Sequence, residues 1–234
     1  MKHFVLFLAL GAPGLPAAAQ PKAAPLPAAV AAPPAGYAEL LAATIQDVLN
    51  AGSQAQRQTA VNKLERAAAA APADWLPCYY QAYGCAMLCF NGTEEGEAKD
   101  KYLDRAEAAL AQARRRGGDA GELLVMQAYI YQARLTISPM FRSVKYMGLM
   151  GEVLAQARQV NPANPRIYLV QGTNVYFMPK VMGGGPEAAQ GLFEEAKRRY
   201  VAFRPSSPLA PAWGEAQVDS RLKAAAANGP AKRL

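Results

Sequence analysis

Leu76–Cys89, Glu122–Leu135 and Arg166–Pro179 align without gaps as three copies of one helix, in register on Gln81-Ala82, Gln127-Ala128 and Gln171-Gly172. The copies start 46 and then 44 residues apart. A period of roughly 20 to 50 residues with helical spacing inside each unit marks a repeat architecture, in which a unit cannot bury its apolar face alone and stacks on the next. The second helices keep the same register. Leu110-Ala111-Gln112-Ala113-Arg114 returns word for word as Leu154-Ala155-Gln156-Ala157-Arg158, and Leu103 and Ala106 are matched by Phe193 and Ala196.

Apolar periodicity and turn residues predict helical pairs. The first joins Tyr37–Leu49 to Ala55–Ala71 across Gly52-Ser53, and the second joins Trp75–Phe90 to Glu97–Arg116 across Asn91-Gly92-Thr93. Glu122–Ile137 and Arg142–Val160 follow, parted at Ser138-Pro139, then Arg166–Met178 and Glu187–Phe203, parted by Pro179 and Gly183-Gly184-Gly185. Trp213–Ala225 is a last single helix. Strand signals are absent, so the expected class is all-α: about four hairpins in units of ~45 residues and a C-terminal capping helix.

The small residue midway along each first helix, followed on the second by alanine, a large apolar residue, alanine and then proline, resembles the tetratricopeptide repeat (TPR) pattern. Gly172, Ala189, Phe193, Ala196 and Pro205 carry it best. Asn164-Pro165-Arg166, Met182–Gly185 and Pro211–Glu215 resemble exported bacterial TPR-like proteins of unknown function. The loops inside the hairpins depart from that family, being longer than its 34-residue unit allows. The resemblance implies a right-handed solenoid whose first helices line a concave face. Carried over by position, that face holds Tyr79, Tyr83, Tyr129, Gln132, Thr173 and Tyr176, with Arg166, Arg134 and Asn174 at its rim or floor. Tyrosine gives large contact area with a polar end, which suits recognition, although the same rings could fill the space between repeats.

Lys2 and His3, an apolar run Phe4–Leu10 and the small-residue end Pro16–Gln20 read as a cleavable secretory signal, cut between Ala19 and Gln20. The run is far shorter than the roughly 20 residues of a membrane span. The expected layout is a signal at 1–19, a Pro/Ala-rich tether at 20–36, a helical domain at 37–226 and a basic tail at 227–234, in a periplasmic or secreted protein. The net charge is +7, with basic clusters at Arg114-Arg115-Arg116, Lys197-Arg198-Arg199 and Lys232-Arg233 where helices are expected to finish, so that positive charge complements the helix dipole. Nucleic acid is not an expected partner.

Catalytic and metal chemistry find little support. Cys78, Cys85 and Cys89 share a helix face, but the repeat places Leu124, Tyr131 and Leu135 at equivalent positions, and the single histidine of the chain is His3. That face reads as a packing seam, with no metal or other cofactor expected. Gly183–Gly185 lacks the strand and the Lys-Ser or Lys-Thr of a phosphate loop. Glu94, Glu95 and Glu97 fit a helix N-terminus. The expected function is therefore non-enzymatic: an exported binding or scaffold protein that takes a protein or peptide on its concave face. The alternative is a periplasmic helical-repeat protein that binds a small molecule and is associated with transport.

Overall fold

In a computed structural model, residues 32–228 are described. The signal segment 1–19, most of the 20–36 tether and the tail beyond residue 228 lie outside the described residues. The described residues are helical and carry no strand: α1 (Tyr37–Asn50), α2 (Gln54–Ala70), α3 (Leu76–Asn91), α4 (Gly96–Arg115), α5 (Ala120–Ile137), α6 (Pro139–Val160), α7 (Pro165–Phe177), a 3-10 turn (Lys180–Met182), α8 (Pro186–Ala202) and α9 (Glu215–Asn228). Among them no helix is long and apolar enough to cross a membrane.

Local chemistry sets these boundaries. Ser53, Asp119 and Asn164 cap α2, α5 and α7 by accepting a backbone N–H two or three residues on. Pro77, Pro139, Pro165 and Pro186 occupy first turns, where the missing N–H costs nothing. Pro139 is where the pattern misleads. Read as a break, it instead starts α6 directly after Ser138, adding a turn that carries Met140. Gly183 and Gly185 take positive φ in the tight loop before α8, where the Gly185 N–H donates to the Val175 carbonyl at 2.9 Å.

The helices pair in sequence as α1/α2, α3/α4, α5/α6 and α7/α8, while α3, α5 and α7 also pack side by side as an inner row. Small residues permit the close approach. Ala82 and Ala128 have no exposed surface, and a Cβ added at Gly172 would lie 2.9 Å from the Phe193 ring. The aligned glycine of the third copy is thus the point at which α7 meets α8. Gly172→Leu is expected to overpack this crossing and lower stability by about 1–3 kcal/mol; a denaturant midpoint equal to that of the wild type would show that the crossing is not tight.

Cys78, Cys85 and Cys89 are buried free thiols. The Cys78 Sγ lies 3.8 Å from Gln112 Oε1 on α4, and the Cys89 Sγ lies 3.8 Å from the Ala133 carbonyl on α5, so this face of α3 is packed on both sides. Burial pushes the Cys85 thiol up to about 12 and that of Cys89 to about 11. A thiol whose folded pKa is raised stabilises the fold below its unfolded value and loses that contribution as pH climbs through the folded one. Stability should therefore fall across the window from about 9 to about 12 set by Cys85. Near pH ~8 the native thiols should react with an aromatic disulfide reagent far more slowly than those of the denatured chain; equal rates would contradict their burial.

Candidate functional site

The chain between α8 and α9 decides what the inner row presents. Gly214 takes φ 109°, which ends any helix before Glu215, and Trp213 lies in the non-helical segment ahead of it. The Trp213 ring lies 5.2 Å from Tyr83 and 5.0 Å from Tyr129. Its Nε1 donates to Tyr79 Oη at 2.9 Å, and its carbonyl accepts from Tyr200 Oη at 2.8 Å. Just before it, the Leu209 carbonyl accepts from Tyr80 Oη at 3.2 Å. The C-terminal segment thus lies on α3 and α5.

Beneath Trp213 is a buried ion pair. The Arg166 guanidinium, wholly withdrawn from solvent, donates to both oxygens of Glu122, at 3.1 Å through Nε and again through Nη2. Asn164 Nδ2 at 2.9 Å and Tyr79 Oη at 3.3 Å complete the donors to that carboxylate. Burial raises the Glu122 carboxyl, and the charge of Arg166 pulls it back down. Burial first, then the neighbouring Glu122 charge, holds the Tyr79 phenol well above its ordinary value.

Beside this cluster, in the part of the inner face that Trp213 leaves uncovered, is a cavity of about 960 Å³. Met87 and Phe90 of α3, Tyr129 and Leu135 of α5, and Leu169 and Val170 of α7 form its apolar floor. Pro139, Met140 and Met147 of α6 form one wall, with Phe177, Met178 and Met182 after it. From α9 come Gln217, Ser220 and Arg221, the last against the Phe177 ring. Five of the chain's eight methionines line this one space. Met140 is 85% exposed and Phe177 67%, so apolar surface continues out to the mouth.

The first turns of α6 are held in place by charge. Arg142 donates to both oxygens of Asp100 at 2.8 and 2.7 Å, and Arg134 bridges Asp100 at 2.8 Å and Glu107 at 3.3 Å. The hydrogen bonds from Arg142, joined by those from Arg134, hold the Asp100 carboxyl below the usual carboxylate range.

The residues singled out in the sequence divide into two groups. Tyr129, Gln132 and Thr173 line the cavity, as does Asn174. Gln132 is itself buried and donates to the Val170 carbonyl at 3.1 Å, tying α5 to α7. Tyr79, Tyr83 and Arg166 are instead covered by the chain's own C-terminal segment. Tyr176 does not line the cavity but is half-buried against Phe193, with Arg221 over its ring. The methionines were missed, although Met140, Met147, Met178 and Met182 cluster at the start of one helix and the end of the next first helix. The Glu94 carboxylate lies away from the cavity, accepting from Gln54 and Tyr102.

No family model matches the chain, and no curated protein matches it. Among solved structures it is similar to the HusA haemophore from Porphyromonas gingivalis, with a TM-score of 0.73 and 29% identity across 86% of this chain and 99% of that one. The likeness therefore spans nearly the whole of the haemophore. It also bears on the TPR resemblance. What stands is an all-α fold of paired helices, without a match to that family's own model.

The Trp213 cluster makes a direct prediction. Trp213→Ala should cost about 3–5 kcal/mol in chemical denaturation, as removal of a buried aromatic side chain does. Glu122→Gln should cost a similar amount by leaving the buried Arg166 charge unpaired. Losses below about 1 kcal/mol in both variants would mean that the segment rests only loosely on the inner row.

Proposed function

We propose that this protein is an exported, non-enzymatic carrier that takes a large, flat, apolar small molecule of the haem type into the methionine-lined cavity. The observation that carries the reading is the cavity itself, whose volume of about 960 Å³ is at the upper end of the ~300–1,000 Å³ usual for small-molecule sites. Its lining is mostly aliphatic, aromatic and thioether. Methionine is unbranched and polarizable, so it can fit its shape to a ring system and contact the ring through sulfur. The likeness to a haemophore supports the same ligand class, and the signal pattern of residues 1–19 supports export. The peptide-groove reading is weaker, because Trp213 covers Tyr79 and Tyr83, two of the tyrosines on which it rested.

The donor set indicates how such a cargo would be held. The described residues include no histidine. Burial raises the Tyr129 phenol, which donates to Met87 Sδ at 3.3 Å. The methionine thioethers are soft donors, and burial of the ring supplies most of the affinity. Haemin added to the purified chain should give a saturable change in its visible absorption, and iron-free protoporphyrin should bind within about tenfold of it. Thr173→Trp, which places an indole in the cavity, should weaken both by about tenfold or more while leaving the thermal midpoint close to that of the wild type. Non-saturable absorption, or full binding by the Thr173→Trp variant, would remove the cavity from consideration.

A further inference from the structure

The cavity has one charged lining residue among those described, Arg221 on α9. Its guanidinium carbon lies 4.8 Å from the centre of the Tyr176 ring and 4.9 Å from that of Phe177, and these two rings meet edge to face at 5.0 Å. The cation is thus braced by aromatic faces beside the apolar mouth. Arginine stacked in this way keeps its planar fork free for hydrogen bonding at the edge.

No carboxylate of the described residues pairs with it. The two acidic residues of α9 are both taken by Lys197 of α8, which reaches Glu215 and Asp219 at 2.9 Å each. The residues outside the described range contain no aspartate or glutamate, so no acidic side chain there can neutralise Arg221. The other arginines near the site contrast with it: Arg134 and Arg142 are committed to Asp100, and Arg166 to Glu122. Gln217 and Ser220 stand one helical turn and one residue before Arg221 and also line the cavity, so α9 presents a polar, cationic edge to a mostly apolar space.

Taking the cavity as the binding site, we propose that its ligand is an amphipathic acid, with its apolar body against the methionines and a carboxylate on the Arg221 fork. Arginine and carboxylate match as two parallel N–H···O bonds, which fixes orientation as well as adding affinity. An apolar molecule of the same size without the acid would fill the same space and leave Arg221 without its partner.

Protoporphyrin IX and its dimethyl ester separate these cases, because they share one ring and differ in the acid groups. The wild-type chain should bind the diacid about ten- to a hundredfold more tightly than the ester, the range expected of a hydrogen bond to a charged group. Arg221→Met, which keeps an apolar side chain beside Tyr176 and Phe177, should lose that preference by weakening the diacid alone. Arg221→Lys should keep part of it. Unchanged ester binding in Arg221→Met also reports an intact cavity. Equal affinity of the wild type for diacid and ester, or equal weakening of both by Arg221→Met, overturns the anchor and leaves the cavity reading in place. Failure of the wild type to bind either porphyrin saturably overturns the cavity reading and the anchor with it.

Discussion

The pairing of Arg166 with Glu122 inside the protein sets the terms for the rest of the fold. Each ion would cost several kcal/mol to withdraw from water alone, and their attraction offsets that only when the remaining hydrogen-bonding capacity is met. Asn164 and Tyr79 meet it for the carboxylate. On the cation side, Nη1 of Arg166 finds no hydrogen-bond partner, and the guanidinium faces the Phe203 ring at 4.8 Å and the Trp213 ring at 5.7 Å. The carboxylate is therefore fully met, and the guanidinium covered, only when α3, α5, α7 and the segment leading into α9 are all in place. Such an arrangement favours one register of the helices over alternatives more than it adds net stability.

That register turns a repeat surface into a cavity. Three inner helices side by side would present a continuous groove, open along its length. Trp213 closes the α3 side by packing on Tyr83 and Tyr129, and α9 then runs along the edge of what remains. Tyr129 belongs to both parts, with Tyr83 and Trp213 beside its ring and its hydroxyl donating to Met87 of the cavity floor. A change in the buried cluster would thus have a route to the cavity through this ring.

The repeat made the helices legible. Matching copies at Ala82, Ala128 and Gly172 located the inner row, because only small residues tolerate the close crossings seen there. The resemblance to tetratricopeptide repeats placed Tyr129, Gln132 and Thr173 on the concave face, and all three line the cavity. It could not show that Tyr79 and Tyr83 would be covered, since their cover is Trp213, which is 134 residues beyond Tyr79. A periodic pattern reports which face of a helix is shared with neighbours; it carries no information about a non-repeating segment that returns to that face. Pro139 hid the first turn of α6 for a local reason: proline at a helix start and proline in a break look alike in sequence.

The two walls of the cavity are built from different materials, and this bears on how a ligand would enter. The α6 wall begins at Pro139 directly after a single linking residue, and ion pairs from Arg142 and Arg134 to Asp100 hold its backbone. Its lining side chains Met140 and Met147 are flexible thioethers, free to change rotamer while the helix stays fixed. The α9 wall differs in its lining. Its polar side chain Arg221 is braced by two rings, and the helix itself is tied to α8 by Lys197 through Glu215 and Asp219. On the proposed reading, an apolar body would be accommodated by adjustment of the methionines while its polar end meets the braced Arg221 fork, a division that would admit a broad, rigid ring and still fix its direction.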